Sequence, residues 1–370
     1  MATAPHLSYL YPAAAMPGGT VHLAGAGLEA PITAEIAGVP ATVTLSRPNR
    51  LTLQVPEGVL PGQVIVRNSI GRSNALHLSV GIPMAENLHP VANPAVDAQG
   101  NIYVTLSGGR GTQTPVSVFR ITRTPSGTFE SRPFVREILN PTGLAFGPDG
   151  FLYISSRAEG TIYRVSPNGL VETYAEGLGI ATGIAFDPEG ALYVGDRSGT
   201  IFKIRPARSA GSPPFRIETP VLFEEAEPQL TLKTESQAPT FDVPDVPQET
   251  FVFATLEPSI SAYHLAFNST GTLFVSGPTT SSNQVIHAID RDGNATVFYR
   301  GLGRAQGLAF DADDNLYVAA SLAGDRGIIR ITPSGAATLA VSGENLIGLC
   351  FLPGGTAAVA TRDAAYWVIL

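Results

Sequence analysis

One twelve-residue pattern recurs six times between Asn93 and Val359: an apolar run, a Gly- and Asp-rich turn, then a second apolar run. The copies read NPAVDAQGNIYV (93–104), GLAFGPDGFLYI (143–154), GIAFDPEGALYV (183–194), HLAFNSTGTLFV (264–275), GLAFDADDNLYV (307–318) and GLCFLPGGTAAV (348–359). Successive copies start 50, 40, 81, 43 and 41 residues apart. Each copy reads as a hairpin, because Gly and Asp supply the backbone conformations that tight turns need. A hairpin repeated at this spacing cannot bury its apolar face alone and must stack on its neighbours.

Two more strands follow each hairpin. The third reads SVFRI (117–121), TIYRV (161–165), TIFKI (200–204), QVIHAI (284–289) and GIIRI (327–331), and the fourth is visible as VETYAEGL (171–178) and ATVFYRGL (295–302). Four antiparallel strands per unit, repeated radially, predict a six-bladed β-propeller over 82–370. The last unit ends at AYWVIL (365–370) without a fourth strand, while MAENL (84–88) aligns with YAEGL (174–178). Residues 82–88 are therefore expected to complete the last blade and close the ring, removing two exposed edges. A chain beginning at Gly81 should fold, and one beginning at Val91 should not.

The 81-residue spacing holds seven prolines between Pro213 and Pro247, and eight acids against one base, Lys233, between Ile217 and Glu249. Pro disqualifies such a run as a central strand. Residues 206–249 read as an acidic insertion within one blade, in the first place a solvated, disordered one and otherwise a lid over the pocket or a docking segment for a partner. Residues 1–81 differ: seven short alternating runs (7–11, 20–25, 33–38, 41–46, 50–55, 63–68 and 75–80) separated by Gly/Pro turns predict an Ig-like β-sandwich. The fold class is all-β.

Composition narrows the function. A net charge of −8 speaks against a nucleic-acid groove. The single cysteine, Cys350, excludes an intrachain disulfide or a paired-Cys zinc site and is expected to be packing. No run reaches the ~18 apolar residues of a membrane span. The start MATAPHLSYLYP lacks a basic, then apolar, leader. A cytoplasmic location is the simplest expectation, although a secreted chain whose signal had been removed would look the same.

Segment 5–81, with Pro17-Gly18-Gly19, Ala37-Gly38 and Val55-Pro56, resembles the IPT/TIG Ig-like domains. Segment 82–370, with its GLAFDPEG-type units, resembles NHL-type six-bladed propellers of bacterial type and the related gluconolactonase/regucalcin group. The second resemblance implies a divalent metal held on the central axis by a Glu, an Asn and an Asp. The matching positions here are Ala92 in the first unit, then Thr142 and Thr182, with Tyr263-His264, Gln306 and Ile347 opening the later units. A hard dication wants carboxylates, and none stands there. No cofactor is expected, and calcium at the Asp-rich turns is a minor alternative.

No HExxH, GxSxG or P-loop motif is present. Arginine, by contrast, recurs fourteen residues after the start of three units, as Arg157, Arg197 and Arg362, with Arg110 and Arg326 in the equivalent turns of two others. If those turns face the mouth of the funnel, the guanidinium groups suit an anionic ligand. The competing expectation is local pairing with Asp196, Asp325 and Asp363. The candidate mouth comprises Arg157, Arg197, Arg362, His264, Tyr263, Asn93, His89, Thr142, Thr182 and Gln306. The functional expectation is a non-enzymatic binding module for a small anionic molecule or a protein segment. The alternative is a lactone hydrolase whose metal ligands have changed.

Overall fold

The computed structural model describes residues 3–109, 111–206, 248–277 and 284–370, and every regular element among them is a β-strand. Five four-stranded antiparallel sheets form a propeller-like arrangement beside one twelve-stranded sheet. In chain order, sheet A runs from Ala95–Val96 to Phe129–Val135, sheet B from Pro141–Phe146 to Val171–Ala175, sheet C from Ala181–Phe186 to Gln248–Thr255, and sheet D from His264–Phe267 to Ala295–Arg300. Sheet E is the twelve-stranded one, whose last four strands run from Leu308–Phe310 to Ala337–Ser342. Sheet F holds Leu346–Leu352, Thr356–Thr361, Ala364–Ile369 and Ile82–Glu86.

The repeat explains the hairpins. Asp187 Oδ1 accepts the backbone N–H groups of Glu189 (3.0 Å) and Ala191 (2.8 Å), and Asp97, Asp290 and Asp311 do the same in their own turns. These carboxylates are thus engaged in turn geometry. The second strand then alternates with period two. Leu192 and Val194 pack towards sheet B, with Tyr153 and Ile162, while Tyr193 packs towards sheet D, with Leu265 and Val275. The same register puts Tyr103, Tyr153, Tyr193, Phe274 and Tyr317 edge-on to Phe146, Phe186, Phe267, Phe310 and Phe351 of the next sheet, with ring centroids 4.8–5.1 Å apart. Each such contact contributes about 0.5–1.5 kcal/mol beyond area burial.

The innermost strands touch in a closed cycle, A to B, C, D, E, F and back to A. Ile82–Glu86 pairs antiparallel with Ala364–Ile369. Met84 and Leu88 bury against Ile102, Val104 and Ile121 of sheet A, with Cys350 and Trp367 partly buried in the same cluster. Burial pushes the Cys350 thiol up to about 12, so it stays protonated.

The seven N-terminal runs all form strands, in the order His6–Tyr11, Thr20–Ala26, Arg50–Gln54, Val39–Arg47, Thr33–Ile36, Gly62–Arg67 and Leu76–Val80, around a core that includes Leu7, Leu23, Ile36, Leu51 and Leu78. An eighth, Ala14–Ala15, lies parallel to both Leu76–Val80 and Ala337–Ser342 and so joins these strands to the last four within the twelve-stranded sheet E. Met16 N donates to Ser342 O (2.7 Å), Thr20 N to Ser342 Oγ (2.8 Å), and the Tyr11 hydroxyl accepts from Leu339 N (2.6 Å). Met16, 2% exposed, packs with Leu346 and Tyr317. The N-terminal unit is therefore built into the larger body. Met16→Ala is expected to cost about 2–5 kcal/mol, measured by denaturant unfolding.

Of the acidic stretch 206–249, residues 207–247 lie outside the described residues. Its two ends pair with each other, Pro206 opposite Gln248. Ile204 pairs with Leu192, beside the 187–191 turn. The two described ends therefore lie at the end of sheet C remote from Arg197; the lid or docking role expected of the stretch lies outside the described residues.

Candidate functional site

The turns after the second strands are built alike. Arg157 N donates to Asn140 O, Arg197 N to Ile180 O and Arg362 N to Asn345 O, at 3.1–3.3 Å. The three arginines therefore hold equivalent positions, at the end of each sheet where the fourth strand of one crosses to the first strand of the next. Between these turns and crossings lies a cavity of about 670 Å³, within the size range of small-molecule sites.

Among the described residues, five arginines line it, Arg157, Arg197, Arg304, Arg326 and Arg362, against one acid, Glu344. Glu344 Oε2 takes Arg326 Nη1 at 2.6 Å. The expected local pairs do not form: Asp196 accepts from Ile180 N (2.7 Å) and Ser198 Oγ, and Asp325 faces His22 at 3.4 Å. Among the described residues, Arg197, Arg304 and Arg362 make no ion pair, and the buried Arg197 Nε has no hydrogen-bond partner. Arg157 and Arg197 are half-buried, and Arg304, Arg326 and Arg362 are exposed at the rim. Arg110 lies outside the described residues.

Six of the ten residues expected at the mouth line the cavity: Arg157, Arg197, Arg362, His89, Thr182 and Gln306. The other four sit elsewhere, because the innermost strands close on one another. Asn93 Nδ2 donates to Leu308 O (2.7 Å) and its Oδ1 accepts from Leu349 N (3.3 Å), stitching sheet A to sheets E and F. A Cβ on Gly307 or Gly348 would collide with that amide, which is why those units open with glycine. Thr142, fully buried, donates to Asn140 O (3.2 Å). The Tyr263 hydroxyl donates to Glu257 O, and its N–H donates to Thr182 Oγ1 (3.1 Å).

His264 is 3% exposed, and burial alone lowers its imidazole to about 4. It is neutral at pH 7 and packed within the ring. In the unfolded chain it takes a proton near 6.5, so stability is complete above that pH and is lost as pH falls towards 4, by about 3 kcal/mol. His287, also lowered by burial, adds to the same trend. His264→Gln should flatten the decline of unfolding free energy between pH 6.5 and 4; an unchanged slope would contradict this placement.

The residues at the axis do not fit the metal that the propeller resemblance implies. Ala92 has no donor, the Thr182 hydroxyl donates to Gly195 O (2.8 Å), and the Thr142 and Asn93 side chains are engaged as above. Among the described residues no three His, Cys, Asp or Glu side chains gather at one point. Sequence reading missed Arg304 and Glu344, which lie in connections outside the repeat; Arg304 adopts a left-handed backbone (φ 47°). No helix of the described residues is long and apolar enough to cross a membrane.

No protein-family model matches the chain, and no curated protein matches it. Solved structures do match. An auxiliary nutrient binding protein from Bacteroides thetaiotaomicron VPI-5482 aligns over 99% of this chain and 97% of its own, at 11% identity and a TM-score of 0.51. A gluconolactonase-like protein aligns over 79% and 92%, at 16% identity and a TM-score of 0.51. A virginiamycin B lyase from Staphylococcus aureus aligns over 78% and 97%, at 16% identity and a TM-score of 0.49. At such identities the first two likenesses concern the fold.

Proposed function

We propose that this chain is a non-enzymatic binding module whose cavity holds a small anionic ligand. Its scaffold is a six-bladed propeller over 82–370, the fifth blade being the last four strands of sheet E, joined to an Ig-like IPT/TIG-type sandwich over 1–81. The observation that carries this reading is the cavity lining: among the described residues, five arginines against one glutamate. Such a concentration of like charge in a concave site lowers stability through repulsion and is offset when an anion binds. Guanidinium forks suit carboxylate or phosphate. A nutrient-binding protein among the structural neighbours agrees with a binding role.

Thermal unfolding with citrate or phosphate, against chloride at equal ionic strength, tests it. A ligand at a hundred times its Kd stabilises by about 2.7 kcal/mol, and Arg197→Gln combined with Arg362→Gln should abolish most of that gain. No stabilisation by either anion, or an undiminished gain in the double variant, would count against the proposal.

A lactone hydrolase is the second reading, favoured by the gluconolactonase-like neighbour. Among the described residues, Glu344 is the carboxylate that lines the cavity and would serve as its acid or base. Turnover of a sugar lactone that disappears in Glu344→Gln would favour it over simple binding.

A further inference from the structure

The charges are unevenly placed around the cavity. Arg157 and Arg197 follow the second strands of sheets B and C, whereas Arg304, Arg326 and Arg362 lead into or belong to sheets E and F. In the cycle of innermost strands, B stands three steps from E, and C three steps from F. The two basic groups therefore face each other across the cavity. Among the described residues, the walls between them, Ile260–Ala262 on one side and His89–Val91 on the other, hold no Arg, Lys, Asp or Glu. The inner pole is half-buried and contains the unpartnered Arg197 Nε; the outer pole is exposed and partly neutralised by Glu344.

A monoanion satisfies one pole and leaves the other as it was. We infer that the ligand is a dianion with its two charged groups at opposite ends of an uncharged body, a dicarboxylate or a bisphosphate rather than a single anionic head. This rests on the anion-binding reading above and specifies its ligand class.

Calorimetric titration of the full chain with succinate, adipate and suberate, against butyrate, hexanoate and octanoate, tests it at fixed ionic strength. A sugar bisphosphate against its monophosphate distinguishes phosphate from carboxylate ends. At one chain length the dianion is expected to bind about tenfold or more tightly than its monoanionic match, as a second charge-assisted contact implies. Arg197→Gln and Arg362→Gln, one from each pole, should each bring the dianion down to the level of the monoanion. Equal binding of both members of every pair would overturn the two-pole inference while leaving anion binding intact. Binding of none would overturn both. Should a variant fail to melt cooperatively, the wild-type pairs decide alone.

Discussion

Lys203→Met is expected to destabilise the fold by about 3–5 kcal/mol, the usual cost of leaving one member of a buried ion pair without its partner. Lys203 Nζ lies 3.1 Å from Asp187 Oδ2, with the two side chains 6% and 7% exposed. The ammonium also stands 4.6 Å from the centroid of Tyr193. Without it, a carboxylate already holding the turn N–H groups of Glu189 and Ala191 is left shielded from water with no counter-charge. Asp187→Asn in the same chain removes that charge and keeps the turn acceptor, so the double variant should recover much of the loss. Denaturant unfolding of the single and double variants measures the coupling. A loss under about 1 kcal/mol for Lys203→Met, in the range of surface pairs, would mean the pair is solvated.

The second large effect concerns the ring. A chain beginning at Val91 should lose cooperative unfolding and aggregate, whereas one beginning at Gly81 should retain it. The two differ by Ile82–Glu86 and the residues that follow, which supply the edge strand beside Ala364–Ile369 and bury Met84 and Leu88 against sheet A. Their loss exposes a strand edge and an apolar face together. The chain from Gly81 should itself melt below the full protein, since it exposes the surface of Leu339, Val341 and Leu346 that Tyr11, Ala14 and Met16 cover. Equal melting of the two shortened chains would remove the closing role of 82–86.

Much of this was legible in the sequence, because period-two alternation and turn chemistry are local. The GLAF and LYV runs announce their strands, and MAENL announces its place by likeness to YAEGL. The joining of the N-terminal strands to the last four of sheet E was not legible: two alanines in a parallel bridge leave no pattern, and their partners lie more than three hundred residues on. At the site, the arginine recurrence was readable because the turns repeat. Asn93, Thr142, Tyr263 and His264 were misplaced for one reason. Residues opening a first strand look as though they face a channel, but the glycines beside them allow backbones to approach until their polar groups bond to each other. Arg304 and Glu344 come from connections that differ in every unit, and only the folded chain brings them to the same cavity.

The most direct measurement is calorimetric titration of citrate into the full chain at pH 7, at two salt concentrations, beside Arg197→Gln/Arg362→Gln. Saturable binding with one site per chain is expected, weakening as salt rises and absent from the double variant. Heats that do not saturate, or binding that survives the loss of both arginines, would contradict an anion site in this cavity.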